Sequence, residues 1–185
     1  MNKLIITCGI SGSGKSTWVK KHHPYAYIVC PDNIRRELTG DVSDQSRNKE
    51  VFDIAYKSLC TNGVDAGTVV WDATNISISG ILKIVNMAKG ADIARNNHIL
   101  DDITLVVFKD SLNWELCLER VKKAIANGED RSNTDVEVED HWNGGKIPLL
   151  KRMHHHFSNL WYLLTAPNGV SDFNREGIKV EVYES

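Results

Sequence analysis

Gly9-Ile10-Ser11-Gly12-Ser13-Gly14-Lys15-Ser16-Thr17 satisfies G-x-x-x-x-G-K-[ST] at every constrained position. The apolar run Leu4-Ile5-Ile6-Thr7-Cys8 leads into it, and Trp18-Val19-Lys20-Lys21 continues it in helix-compatible residues. Strand, glycine loop and helix form the setting in which this pattern holds phosphate. Glycine lets the backbone curl around an anion, so N–H groups from Ser11 to Thr17 can converge on phosphate oxygens. The helix that follows adds the positive end of its dipole. Lys15 supplies a charge for the β- and γ-phosphates, and the Ser16 hydroxyl a ligand for Mg²⁺. The candidate nucleotide contacts are thus Gly9, Ser11, Gly12, Ser13, Gly14, Lys15, Ser16 and Thr17.

The rest of the chain has to be compatible with such a site. Its 185 residues, 42% apolar and 25% charged, suit one α/β domain with a proper core. A formal net charge of −2 argues against broad, non-specific nucleic-acid binding, though a small basic patch could still grip one strand end. Cys8, Cys30, Cys60 and Cys117 form no C-x-x-C pair, a usage that fits free thiols in a reducing cytosol. The first apolar run is too short for a signal peptide, and no segment reaches the length of a membrane span. A soluble, cytoplasmic protein is expected.

Beyond the loop, strands and helices alternate. The first helix should stop near His22 or His23, before Pro24, and Ala26–Cys30 reads as a second strand closed by Pro31. Asp32–Leu38 is predicted as a helical turn, Gly40–Ser46 as a loop, and Arg47–Thr61 as a helix. Thr68-Val69-Val70-Trp71-Asp72 is a third strand ending in an acid, and Ile81, Leu82, Ile84, Val85 and Ala88 mark the next helix. Ile103–Phe108 is a fourth buried strand. Leu112–Ala126 is helical, with Leu112, Leu116, Leu118 and Val121 expected to face the sheet. The polar, glycine-bearing stretch 127–147 has the character of a closing lid, and Thr134-Asp135-Val136-Glu137 inside it resembles a capping box. Pro148–Leu164 is predicted helical, and Ile178–Tyr183 alternates as a final half-exposed strand.

This order implies a three-layer P-loop α/β fold, with a mainly parallel sheet of about five strands and helices on both faces. Ligands of such sheets bind beyond the carboxyl ends of the strands, which gathers the phosphate loop, Asp32, Asp72, Thr74 and Asn75 at one edge. The chain has no Asn-Lys-x-Asp guanine reader, and Val70-Trp71-Asp72-Ala73 offers one acid where large ATPases carry a pair. A small kinase, by contrast, needs a base near the acceptor hydroxyl, a metal, and positive groups over the transferring phosphoryl. Candidates for all of these are present.

Four ordered motifs carry a resemblance. Ile5–Trp18, Pro31-Asp32-Asn33-Ile34-Arg35, Asp72-Ala73-Thr74-Asn75, and the run from Asn113-Trp114-Glu115-Leu116 through Arg120 to Gly145-Lys146-Ile147-Pro148 resemble the bacteriophage 5′-polynucleotide kinase family. The similarity spans roughly residues 3–160. It implies an ATP- and Mg²⁺-dependent kinase acting on a 5′-hydroxyl of DNA or RNA. Asp32 would be the general base, Arg35 would hold an acceptor phosphate and could also position Asp32, and Asp72, Thr74 and Asn75 would shape the acceptor side, with outer-sphere metal contacts as the alternative for Asp72 and Asn75. Arg120 and Arg131 are the two candidates to cover the β- and γ-phosphates; Arg120 fits the family position better, and Arg131 lies in what looks like an insertion. A phosphatase domain beside the kinase motifs, as several members of that family carry, is not expected here.

The acceptor stays open at this level. A modified base in DNA, a nucleoside or another small metabolite would use the same machinery, and a slow nucleotide-binding regulatory module is a further class. The run His154-His155-His156 lies on consecutive helical positions about 100° apart, which cannot chelate one ion together. With Lys151 and Arg152 it reads as a basic helix face. Trp18, Trp71 and Trp161 fall at expected core positions, and Trp142 is the one to test for stacking on substrate.

Overall fold

The computed structural model describes residues 1–63, 65–94, 100–128, 138–140, 145–147, 149–166 and 173–184. Five parallel strands form the sheet: β1 (Lys3–Cys8), β2 (Tyr27–Val29), β3 (Thr68–Trp71), β4 (Asp102–Phe108) and β7 (Ile178–Tyr183). Their spatial order is β2-β3-β1-β4-β7. The main helices among the described residues are α1 (Lys15–His22), α2 (Pro31–Thr39), α3 (Asn48–Ser58), α4 (Ile78–Ala94), α5 (Trp114–Ala126) and α6 (Leu149–Thr165). A separate antiparallel pair, β5 (Val138–Asp140) with β6 (Gly145–Ile147), lies inside the stretch expected to be a lid.

The alternation of β1 builds the two faces. Leu4, Ile6 and Cys8 point into the larger core, which takes in Ile81 and Val85 of α4, Val121 of α5 and Met153 and Leu160 of α6. Ile5 points the other way, into a smaller cluster with Val70, Val106, Phe108 and Val19 of α1. Burial on both sides is why β1, β3 and β4 read as unbroken apolar runs rather than as alternating strands.

Helix ends follow local chemistry. Pro31 occupies the first turn of α2, where its missing N–H removes no helical bond, so it opens that helix as well as closing β2. Gly40 closes α2 in the left-handed region, φ 79°. Asn113 caps α5, its side chain accepting from the Leu116 N–H at 3.1 Å.

Some expectations are corrected. Leu112 precedes α5 in a short 3₁₀ turn (Lys109–Leu112) and is 40% exposed, while Cys117, Val121 and Ala124 make the buried face of the helix. Trp161 is 53% exposed rather than core. The proposed capping box, Arg131 and Trp142 lie outside the described residues. No helix among the described residues is long and apolar enough to cross a membrane.

Candidate active site

The chain leaves β1 for β2 and β3 on one side, then crosses to β4 and β7 on the other. The reversal puts a crevice at the carboxyl end of β1, where the phosphate loop lies. A cavity of about 590 Å³ opens there, taking in Lys15, Ser16, Asp32, Asp72, Thr74 and Arg120. Residues far apart in sequence are thereby brought together.

The loop is rigidly seated. Gly14 (φ 91°) and Gly12 (φ 83°) adopt left-handed backbone. At Gly12 a Cβ would lie 2.3 Å from the Cys117 carbonyl oxygen, so glycine is the residue that lets α5 pack against the loop. Gly9 is crowded by Ser111 and Phe108, and Ser13 is buried with its Oγ unpartnered among the described residues. Both therefore sit behind the loop, with Ser11, Gly12, Gly14 and Thr17 on the cavity side. Lys15 Nζ donates to the Ile10 carbonyl at 2.8 Å, spanning the loop. Burial lowers the Lys15 pKa, and the Asp72 and then Asp32 carboxylates oppose that shift.

Asp72 joins loop and strand. Its Oδ2 accepts from Ser16 Oγ at 2.8 Å and its Oδ1 from Thr7 Oγ1 at 3.0 Å. Asn75, at φ 46°, donates through Nδ2 to the Thr7 carbonyl at 2.7 Å, and the Gly9 N–H donates to the Thr74 carbonyl at 2.9 Å. These bonds stitch residues 72–75 to the end of β1. A hydroxyl and a carboxylate side by side beneath a phosphate loop are hard oxygen donors of the kind Mg²⁺ takes together with phosphates, so Ser16 and Asp72 fit that ion.

Across the cavity, Asp32 stands in the first turn of α2, with Cys30 rather than itself as the cap. Its side chain is 64% exposed, whereas that of Arg35 is only 5% exposed. Arg35 Nη1 meets Asp32 Oδ1 at 2.5 Å, the i,i+3 relation expected on one helix face. Arg35 Nη2 donates to Asn48 Oδ1 at 2.8 Å, which anchors the guanidinium to the start of α3. One guanidinium thus fixes the orientation of an exposed carboxylate from beneath. Arg120, on the opposite side, donates to Asp110 Oδ2 at 2.6 Å and to the Gly12 carbonyl at 3.4 Å, so its charge lies against the loop.

Three residues of this constellation carried no motif. Asn48 has nothing in its sequence surroundings to single it out. Arg152 and His156 lie one turn apart on α6 and share a face, a spacing that could have separated them from the other histidines. Burial lowers the Arg152 pKa, with the Asp32 carboxylate opposing and the Arg35 charge adding to the shift. Burial also lowers His156 to about 4, reinforced by the Arg152, His155 and Lys15 charges, so its imidazole is neutral near pH 7. Cys8 and Cys30, near the same strand ends, are pushed up by burial to about 12 and about 11 and are thiols, not thiolates.

A solved structure shares this framework. A crystal structure of a protein from Chloroflexus aurantiacus J-10-fl, named as a putative kinase, superposes with a TM-score of 0.51 at 11% identity, covering 98% of this chain and 87% of that one. A deoxyadenosine kinase from M. mycoides gives a TM-score of 0.42 at 13% identity over 97% and 89% of the two chains. No curated protein matches the sequence. The AAA domain model matches residues 4–144, from β1 through the phosphate loop, Asp32, Asp72 and Arg120 to four residues past the end of β5. With the loop, sheet order and strand-end acid in place, the chain belongs to the AAA domain family.

Proposed function

We propose that this chain is a Mg²⁺-dependent P-loop kinase that moves the γ-phosphoryl of ATP to a hydroxyl of a nucleic acid, the 5′-hydroxyl first. The observation that carries the reading is the Asp32–Arg35–Asn48 clamp, which aims an exposed carboxylate into the same cavity as Lys15, Ser16 and Asp72. A module that only binds nucleotide has no need of such a base.

In the reaction, the acceptor hydroxyl oxygen attacks the γ-phosphorus while its proton passes to the free oxygen of Asp32, and the bond to the β-phosphate bridging oxygen breaks to release ADP. Lys15 and the loop N–H groups hold the β- and γ-phosphates, and Arg120 covers them from the α5 side. Held by Ser16 and Asp72, Mg²⁺ would supply charge neutralisation on the phosphates. Arg35 is committed to Asp32 and Asn48, so the proposal gives it the task of orienting the base.

A second reading, a nucleoside or another small hydroxyl compound as acceptor, draws support from the net charge of −2. Incubation with γ-labelled ATP and a panel of 5′-hydroxyl oligonucleotides, nucleosides and modified-base DNA separates the two. Label on the oligonucleotides is expected; label on free nucleosides alone would replace the first reading with the second. Label on nothing, with ATP binding retained, would leave a nucleotide-binding module.

A further inference from the structure

A second cavity, of about 210 Å³, lies at the carboxyl end of β3 between α3 and α4. Ala73 and Thr74 line both it and the larger cavity, so the two share a wall. Its lining is aromatic on the α3 side. Phe52 and Tyr56 stand one turn apart on α3 with ring centroids 6.2 Å apart, and Tyr56 stacks on Trp71 at 5.1 Å and 26°. Lys83 Nζ lies 4.4 Å from the centroid of the Tyr56 ring. The other side is polar: Thr74, Asn75 and Ser77 contribute to the lining. Asn75 spends its Nδ2 on the carbonyls of Thr7 and Ala73, while its Oδ1 accepts no hydrogen bond among the described residues.

Position in the sheet says which substrate this cavity serves. Arg120 approaches the loop from the β4 side, whereas Asp32 follows β2 and the second cavity follows β3. The base and the aromatic cavity are therefore on one side of the phosphate loop, and the phosphate-covering arginine is on the other. Stacked aromatic rings facing polar side chains select a flat ring that carries hydrogen-bonding groups on its edge. We propose that this cavity receives the heterocyclic base of the phosphoryl acceptor, stacked against Phe52 and in contact with the rim of Tyr56, whose faces are held by Trp71 and Lys83, with its own edge read by Asn75. The inference rests on the kinase reading above and adds to it that the hydroxyl to be phosphorylated belongs to a nucleotide whose own base is bound.

The test compares 5′-hydroxyl oligonucleotides that end in an ordinary nucleotide with ones whose terminal residue is abasic. It is run on the unaltered chain and on Tyr56→Leu, Phe52→Leu and Tyr56→Phe. For the unaltered chain, the abasic end is expected to raise the acceptor KM about tenfold, the scale of one lost stacking contact. Tyr56→Leu and Phe52→Leu should raise the acceptor KM by a similar factor for the base-bearing end and barely at all for the abasic one. Tyr56→Phe should retain the unaltered KM, and the KM for ATP should be the same throughout, which also reports correct folding. Equal KM for both ends in the unaltered chain overturns the base pocket and leaves the kinase standing. So does a Tyr56→Leu effect that is the same for both ends. No transfer to any acceptor in the panel overturns both readings together.

Discussion

Asp32 owes its aim to Arg35, and Arg35 owes its own to Asn48. Asp32→Asn keeps the shape and removes the proton acceptor. It should leave ATP affinity unchanged and lower kcat by about 10²–10⁴-fold, measured by single-turnover transfer; turnover within threefold of the unaltered chain would remove Asp32 as base. Asn48→Ala acts at one remove, leaving Nη2 of the buried Arg35 without its acceptor. A loss of about 1–3 kcal/mol of stability is expected from the unmet donor, together with a fall in kcat at constant ATP KM. Glutamine at this position, which keeps the amide oxygen, should recover part of that rate. These residues differ in how readable they were. Lys15 and Ser16 were fixed by motif, and Asp32 and Asp72 by standing at strand ends. Asn48 acts through the contact of α2 with α3, while Arg152 and His156 feel the Asp32 and Lys15 charges from α6, and no local pattern encodes which helices meet. Thr74 and Asn75 were assigned to the acceptor edge as a pair, but Asn75 also holds the β1 and β3 ends together through the Thr7 carbonyl.

Elements were legible wherever one periodicity dominated. The five sheet strands and the main helices were each anticipated within a few residues, because buried parallel strands and amphipathic helices write strong signals. Errors fell where a helix face had to be chosen. Cys117, small and apolar, takes a buried position in α5 against Gly12, whereas Leu112 belongs to the 3₁₀ turn before the helix and lies outside that face. The contact makes a sharp prediction. Gly12→Ala forces a Cβ onto the Cys117 carbonyl at a left-handed φ, so loop and helix must part. About 2 kcal/mol or more should be lost, a Tm fall of about 4–8 °C, along with most ATP affinity. Gly40→Ala, also left-handed but in open space, should lose stability without touching ATP binding.

At the scale of the whole molecule, α6 carries a neutral imidazole that feels the Lys15 charge. His156 has its pKa lowered from 6.5 to about 4, so between those values the unfolded chain binds a proton that the folded chain refuses. Stability therefore falls as pH drops from 6.5 towards 4, by on the order of 2 kcal/mol from this group. His156→Gln should flatten the Tm-against-pH curve across that window relative to the unaltered chain; identical curves would contradict the burial of a neutral ring. Ligand acts in the opposite sense. ATP at a hundred times its Kd should add about 2.7 kcal/mol, and Lys15→Ala should abolish most of that gain.

The pairing of β4 has a consequence for biosynthesis. Its seven residues are buried almost throughout, and one edge is covered by β7 in a register running from Ile103↔Ile178 to Phe108↔Tyr183. While the chain is being made, β1 can pair with β4 as soon as both exist, but the far edge of β4 stays open until Ile178–Tyr183 has been added. During that interval the nascent chain presents an unpaired, strongly apolar strand edge, the kind that pairs with other chains. The phosphate loop and the acids after β2 and β3 can thus be in place before the sheet is safe from aggregation, while Tyr183 adds its part of the cavity wall only with β7.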